Sequence, residues 1–130
     1  MLIDANIFLE LLLDQEKAQK CEEILEKARK GIIQAVVSTF TIDGIALVLE
    51  KYGRKGENIE RFLRSLASYK GLMIYTPTMN DRFQAIAHMK TGLDFEDAMT
   101  AQSALASNVK EILSFDKHFD KIKNIKRIEP

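Results

Sequence analysis

Three aspartates interrupt or follow apolar runs in ways that would suit a metal site. Asp4 breaks the opening stretch LIDANIFLELLLD, Asp97 lies in FEDAM at the start of a helical pattern, and Asp116 directly follows the strand-like EILSF. Carboxylates gathered at one place repel one another unless a cation neutralises them. An all-oxygen cluster, with no His or Cys joining it, suits Mg²⁺ or Mn²⁺ rather than zinc. Such a site could polarise a phosphoryl oxygen and lower the pKa of a water, which points to phosphodiester hydrolysis.

Whether the three meet depends on the elements that hold them. MLI is a short strand ending at Asp4, and IFLELLL runs on as a short helix. In DQEKAQKCEEILEKARKG the residues Ala18, Cys21, Leu25 and Ala28 recur at helical spacing, with Gly31 as the stop. IIQAVV (32–37) is β-rich, and Ile42, Ile45, Ala46 and Leu49 mark a helical face ending near Gly53. A helix through Ile59, Phe62, Leu63 and Leu66 leads to the strand LMIY and the turn Thr76-Pro77. Thr78 can cap a helix bearing Phe83, Ile86 and Ala87, which stops at Thr91-Gly92. FEDAMTAQSALASN carries Ala98, Ala101 and Leu105 on one side, EILSF is a strand, and IKRI is a short last one.

Short, nearly fully apolar strands alternating with helices predict an α/β fold, a three-layer α/β/α sandwich with a mostly parallel central sheet. In such sheets ligands bind off the carboxyl ends of the strands, where helix N-termini also point. Asp4, Asp97 and Asp116 are all expected at that edge.

The bulk numbers narrow the classes. At 130 residues, 46% apolar and 29% charged, the chain is expected to form a single domain over 1–130. No repeat or low-complexity linker divides it. Nineteen basic residues balance nineteen acidic ones, so a nucleic-acid partner would need a local basic patch. The one cysteine, Cys21, excludes an internal disulfide framework, and with no leader-like start the protein reads as soluble and cytoplasmic. Stretches such as IALVL are too short to span a membrane.

Each candidate also has a plainer role. Asp4 could cap a helix, Asp97 could favour a helix dipole, and Asp116 could form an Asx-turn. Asp94 reads as an N-cap and Glu96 as solvated. His88 and His118 each lack a second His at ligand spacing and read as structural or exposed. Cys21 sits on the apolar stripe of its helix and reads as an inert core residue. The tail KHFDKIKNIKR, with Lys51, Arg54 and Lys55, is either a phosphate-contacting patch or a solvated face. Leu9, Leu12 and Leu13 could form a dimer seam or lie in the core.

LIDANIFLELLL, GLDFEDAMTAQSAL and ILSFDKHFDKI resemble the first, third and fourth signature blocks of the PIN domain, in that order and across nearly the whole chain. The chain looks most like the small prokaryotic PIN proteins that include VapC-type toxins, Mg²⁺- or Mn²⁺-dependent ribonucleases inhibited by a co-expressed antitoxin. The resemblance implies catalytic and metal-binding roles for Asp4, Asp97 and Asp116. It also implies Asn6 as a polar site residue, Asp120 as an additional acid, an RNA substrate, an antitoxin partner and a homodimer.

The second block departs from the family, because the helical position that usually carries glutamate aligns with Gly44. Asp43 is the nearest substitute, but one residue is a rotation of about 100° on a helix. A helical glycine also costs about 1 kcal/mol relative to alanine, which suggests a close backbone approach or a local irregularity. Two readings therefore stand: a metal-dependent ribonuclease, or a catalytically impaired PIN-fold module that binds RNA or a protein. A phosphotransfer enzyme built on Asp4 is a weaker third, since DAN lacks a second acid two residues on.

Overall fold

Successive strand residues point to opposite faces of a sheet, so a strand buried on both faces needs apolar residues throughout. The computed structural model, which describes residues 1–130, has such strands at β1 (Leu2–Ile3), β2 (Ala35–Ser38) and β4 (Glu111–Leu113). β3 (Leu72–Tyr75) and β5 (Lys126–Ile128) complete one sheet in the order β3-β2-β1-β4-β5. Every neighbouring pair is parallel, with Leu2 opposite both Val36 and Ile112.

The helices are α1 (Ala5–Leu12), α2 (Ala18–Arg29), α3 (Thr39–Lys51), α4 (Gly56–Leu66), α5 (Met79–Met89) and α6 (Phe95–Ala106), with a 3₁₀ turn at Lys117–Lys121. They segregate by sheet face. Ile3, Val37 and Leu113 pack with Ile7 and Phe8 of α1, Leu25 of α2, Ile45 of α3 and Phe62 of α4. Leu2, Val36 and Ile112 pack on the other side with Ala85 of α5, Met99 and Ala101 of α6, and Phe119 of the 3₁₀ turn. The three-layer α/β/α sandwich expected from the sequence is the observed fold.

Four local expectations differ. β2 begins at Ala35 rather than Ile32, because Gly31 turns at φ +76° and Ile32, 68% exposed, donates its amide to Lys27 O as the helix end is closed. That turn packs against Gly71, where a Cβ would stand 2.2 Å from Ile33 O, so only glycine fits. β3 is not covered on both faces: it is the sheet edge, and Met73 and Ile74 are exposed. On α5 the apolar set Phe83, Ile86 and Ala87 faces outward. Asp81 and Ala85, one turn apart, are the residues buried instead, and His88 continues that face against Gln102 of α6. Leu63 and Leu105, expected on buried faces, are also exposed.

Candidate functional site

β1 and β4 are adjacent, and the connections leaving their carboxyl ends run in opposite directions along the sheet, which makes a crevice at that point. Asp4 leaves β1 and caps α1, its Oδ1 accepting from Ala5 N at 2.7 Å. Its Oδ2 accepts from Ser114 Oγ at 2.6 Å and from Asn6 Nδ2 at 2.9 Å. The same Asn6 amide reaches Ser114 Oγ at 2.9 Å, so Asn6 fixes the acid's orientation. Ser114 follows β4, is fully buried, and also accepts from Asp116 N at 2.9 Å. One hydroxyl thereby ties the first acid to the strand end that presents the last. No periodicity or spacing in the sequence points to Ser114.

Asp94 caps α6, accepting from Asp97 N at 2.8 Å, as expected. Asp97 is thus held at the third helical position and projects into the crevice, its side chain only 14% exposed. Asp116 makes the Asx-turn anticipated for it, with His118 N donating to its Oδ1 at 2.8 Å. That turn swings the His118 ring inward. Nδ1 of His118 lies 3.1 Å from Asp116 Oδ1 and 3.5 Å from Asp97 Oδ2. The expectation that no histidine joins the acids is therefore corrected: the relevant spacing is Asp-x-His through a turn, and its partners are carboxylates rather than a second His.

The acids press on one another. Burial, together with the charges of Glu96 and Asp116, raises Asp4 to about 6 despite its hydrogen bonds from Ser114 and Ala5. Burial and the charges of Asp94, Asp116 and Asp4 raise Asp97 to about 6 as well, with His118 opposing. Ligand atoms of Asp97, Asp116 and His118 all lie within 4.8 Å of one another, a spacing that one ion can bridge. Hard oxygen donors short of positive charge fit a divalent cation. Asp4 lies deeper, with both oxygens already engaged.

The remaining candidates separate. Asp120 is ion-paired with Arg127 at 2.9 Å, and its contacts do not run to the cluster. Arg127 also pairs with Glu129, so this basic residue of the tail is already neutralised, while Lys117, Lys121, Lys123 and Lys126 remain exposed. Asp43 is exposed beside Gly44 in a cleft of about 440 Å³ whose opposite wall carries Glu96. α3 runs unbroken through Gly44, and a Cβ there would meet nothing within 4 Å. Neither a close backbone approach nor an irregular helix explains that glycine.

Leu9, Leu12 and Leu13 pack half-buried against the core. Cys21 is fully buried, and burial pushes its thiol up to about 11. No helix is long and apolar enough to cross a membrane.

The PIN domain family model matches residues 1–125. Among solved structures, the Mycobacterium tuberculosis toxin VapC20, described as cleaving the sarcin-ricin loop, superposes with a TM-score of 0.74 at 11% identity, covering 92% of each chain. VapBC2 from Rickettsia felis, bound to a promoter DNA fragment, gives 0.74 at 17% identity over 98% of this chain and 96% of that one. A Klebsiella pneumoniae toxin–antitoxin complex gives 0.69 at 19% identity over 96% and 94%. At these identities the likeness is one of fold. A search of curated proteins finds no match.

Proposed function

Since the chain belongs to the PIN domain family, we propose that it is a divalent-metal-dependent ribonuclease acting as the toxin of a toxin–antitoxin pair. The observation that carries this reading is the convergence of Asp97 and Asp116 beside the buried Asp4, at the crevice where the connections from β1 and β4 part in opposite directions. Asp97 and Asp116 would hold Mg²⁺ or Mn²⁺, with Asp4 completing the negative field beneath them. Such an ion, when bound, would supply charge neutralisation and Lewis-acid polarisation of a phosphoryl oxygen.

The chain's own residues do the rest. Ser114 and Asn6 lock Asp4 in one orientation, so no rotamer search is needed when substrate arrives. Lys17, stacked 4.1 Å over the Phe115 ring, adds positive charge beside the loop that carries Asp116. Exposed lysines of the 117–126 segment offer phosphate contacts.

The antitoxin partner is supported by the fold's likeness to proteins solved as toxin–antitoxin assemblies. A homodimer is supported by the apolar residues exposed on β3 and α5, Met73, Met79, Phe83 and Ile86 among them. Phe83→Lys should shift the light-scattering mass from dimer to monomer; a monomeric wild type would discard this element of the reading.

The experiment for the activity is cleavage of a labelled mixed RNA pool with Mn²⁺ or Mg²⁺. Wild type should cut, and both chelator and Asp97→Asn should abolish cutting. A second reading, a PIN-fold module that binds RNA without cleaving it, is favoured by Gly44 alone. The open space at Gly44 makes Gly44→Glu a fair test: cleavage gained only in that variant would favour the binding module.

A further inference from the structure

We propose that His118 is itself a metal ligand, so that the site is a mixed nitrogen–oxygen set of Asp97, Asp116 and His118 that prefers a transition ion such as Mn²⁺ over Mg²⁺. The inference rests on the metal-dependent reading of the same site. Two ligand atoms bonded to one ion at about 2.1 Å and at right angles to each other stand roughly 3.0 Å apart. His118 Nδ1 stands 3.1 Å from Asp116 Oδ1, close to that value, and 3.5 Å from Asp97 Oδ2, somewhat beyond it; both are ion-pair distances that an ion entering between the three groups would replace.

The backbone builds this arrangement rather than leaving it to a free side chain. His118 donates the N–H that closes the Asx-turn at Asp116, and Phe119 beside it is fully buried in the core, so the start of the 3₁₀ turn is anchored. Asp120 shares the segment but has no atom in the cluster. The imidazole is 60% exposed, which leaves it open to incoming water or substrate while Nδ1 faces the acids. Imidazole nitrogen favours d-block ions, whereas Mg²⁺ is bound through oxygen.

Pulsed electron paramagnetic resonance of the full chain loaded with Mn²⁺ tests this directly, alongside Mn²⁺ and Mg²⁺ titrations of wild type, His118→Ala and Asp97→Asn. A histidine nitrogen coupling should be present in wild type and absent in His118→Ala. That variant should bind Mn²⁺ about tenfold more weakly, with little change for Mg²⁺. Circular dichroism should show His118→Ala folded, since the ring is largely exposed. Mn²⁺ that binds wild type without nitrogen coupling, and is lost in Asp97→Asn, would overturn the ligand role of His118 and leave the carboxylate site standing. Failure of wild type to bind Mn²⁺ at all would overturn both.

Discussion

Asp97 is expected to cost the protein stability when no cation is bound, and Asp97→Asn should return it. The carboxyl sits at about 6 in the folded chain against 3.8 for an ordinary aspartate, raised first by burial and then by Asp94, Asp116 and Asp4. Between those values the unfolded chain has released its proton while the folded chain still holds it. The unfolded state thus binds fewer protons, and stability falls as pH rises from about 4 to about 6, then levels off. Two pKa units correspond to roughly 3 kcal/mol.

An asparagine keeps part of the burial cost and gives up a favourable charge at the N-terminus of α6, worth roughly 0.5 kcal/mol. The net gain at pH 7.5 should be about 1–2 kcal/mol, or roughly 4–8 °C in Tm for a domain of this size. The assay is thermal unfolding of chelator-treated wild type and variant at pH 7.5 and pH 4. The gain should be present at the first pH and gone at the second. With millimolar Mn²⁺ the wild type alone should rise. A variant that melts at or below wild type at pH 7.5, or that gains equally at both pH values, would refute the repulsion argument.

Asp81→Ala should behave in the opposite sense. It strands the Tyr75 hydroxyl, the Gln102 amide and the Thr78 N–H inside the α5–α6 contact, so urea unfolding should show a loss of about 3 kcal/mol. Ser114→Ala removes the donor to Asp4 and the acceptor for Asp116 N together. A loss of about 1–3 kcal/mol in denaturant unfolding is expected, along with a large drop in RNA cleavage. Gly44→Glu should fold with stability within about 1 kcal/mol of wild type, because the added side chain enters open space and a helical glycine is relieved; Tm is the check.

Much of this architecture can be read from residue order. Strands such as AVVS and EIL are buried on both faces and flanked by helical stripes, and Asp4 and Asp116 fall where β1 and β4 end. α5 could not be read that way, because a buried acid with four protein hydrogen bonds around it looks, in sequence, like a surface residue. The stripe Phe83, Ile86, Ala87 then passes for the buried face. Ser114 and His118 were hidden for a different reason. Their roles depend on a hydroxyl shared between strands 108 or more residues apart and on a turn closing around Asp116, and neither is a periodicity.

Asp81 and Asp97 show how differently this fold treats two acids placed alike. Both occupy the third position of their helices, each behind an N-cap whose side chain accepts its amide. By sequence they are equivalent. Burial raises the pKa of each, but around Asp81 the donors Tyr75, Gln102 and Thr78 outweigh burial and bring it down to about 2. Its charge is satisfied by the protein, and its stabilising contribution is lost only as pH falls from about 4 towards 2. Around Asp97 the neighbours are carboxylates, with the His118 ring as the one opposing group, so it stays near 6. The chain itself offsets that charge only in part. The unmet demand, rather than the presence of an acid at a helix start, is what would draw a cation to the crevice between β1 and β4 under the proposed function.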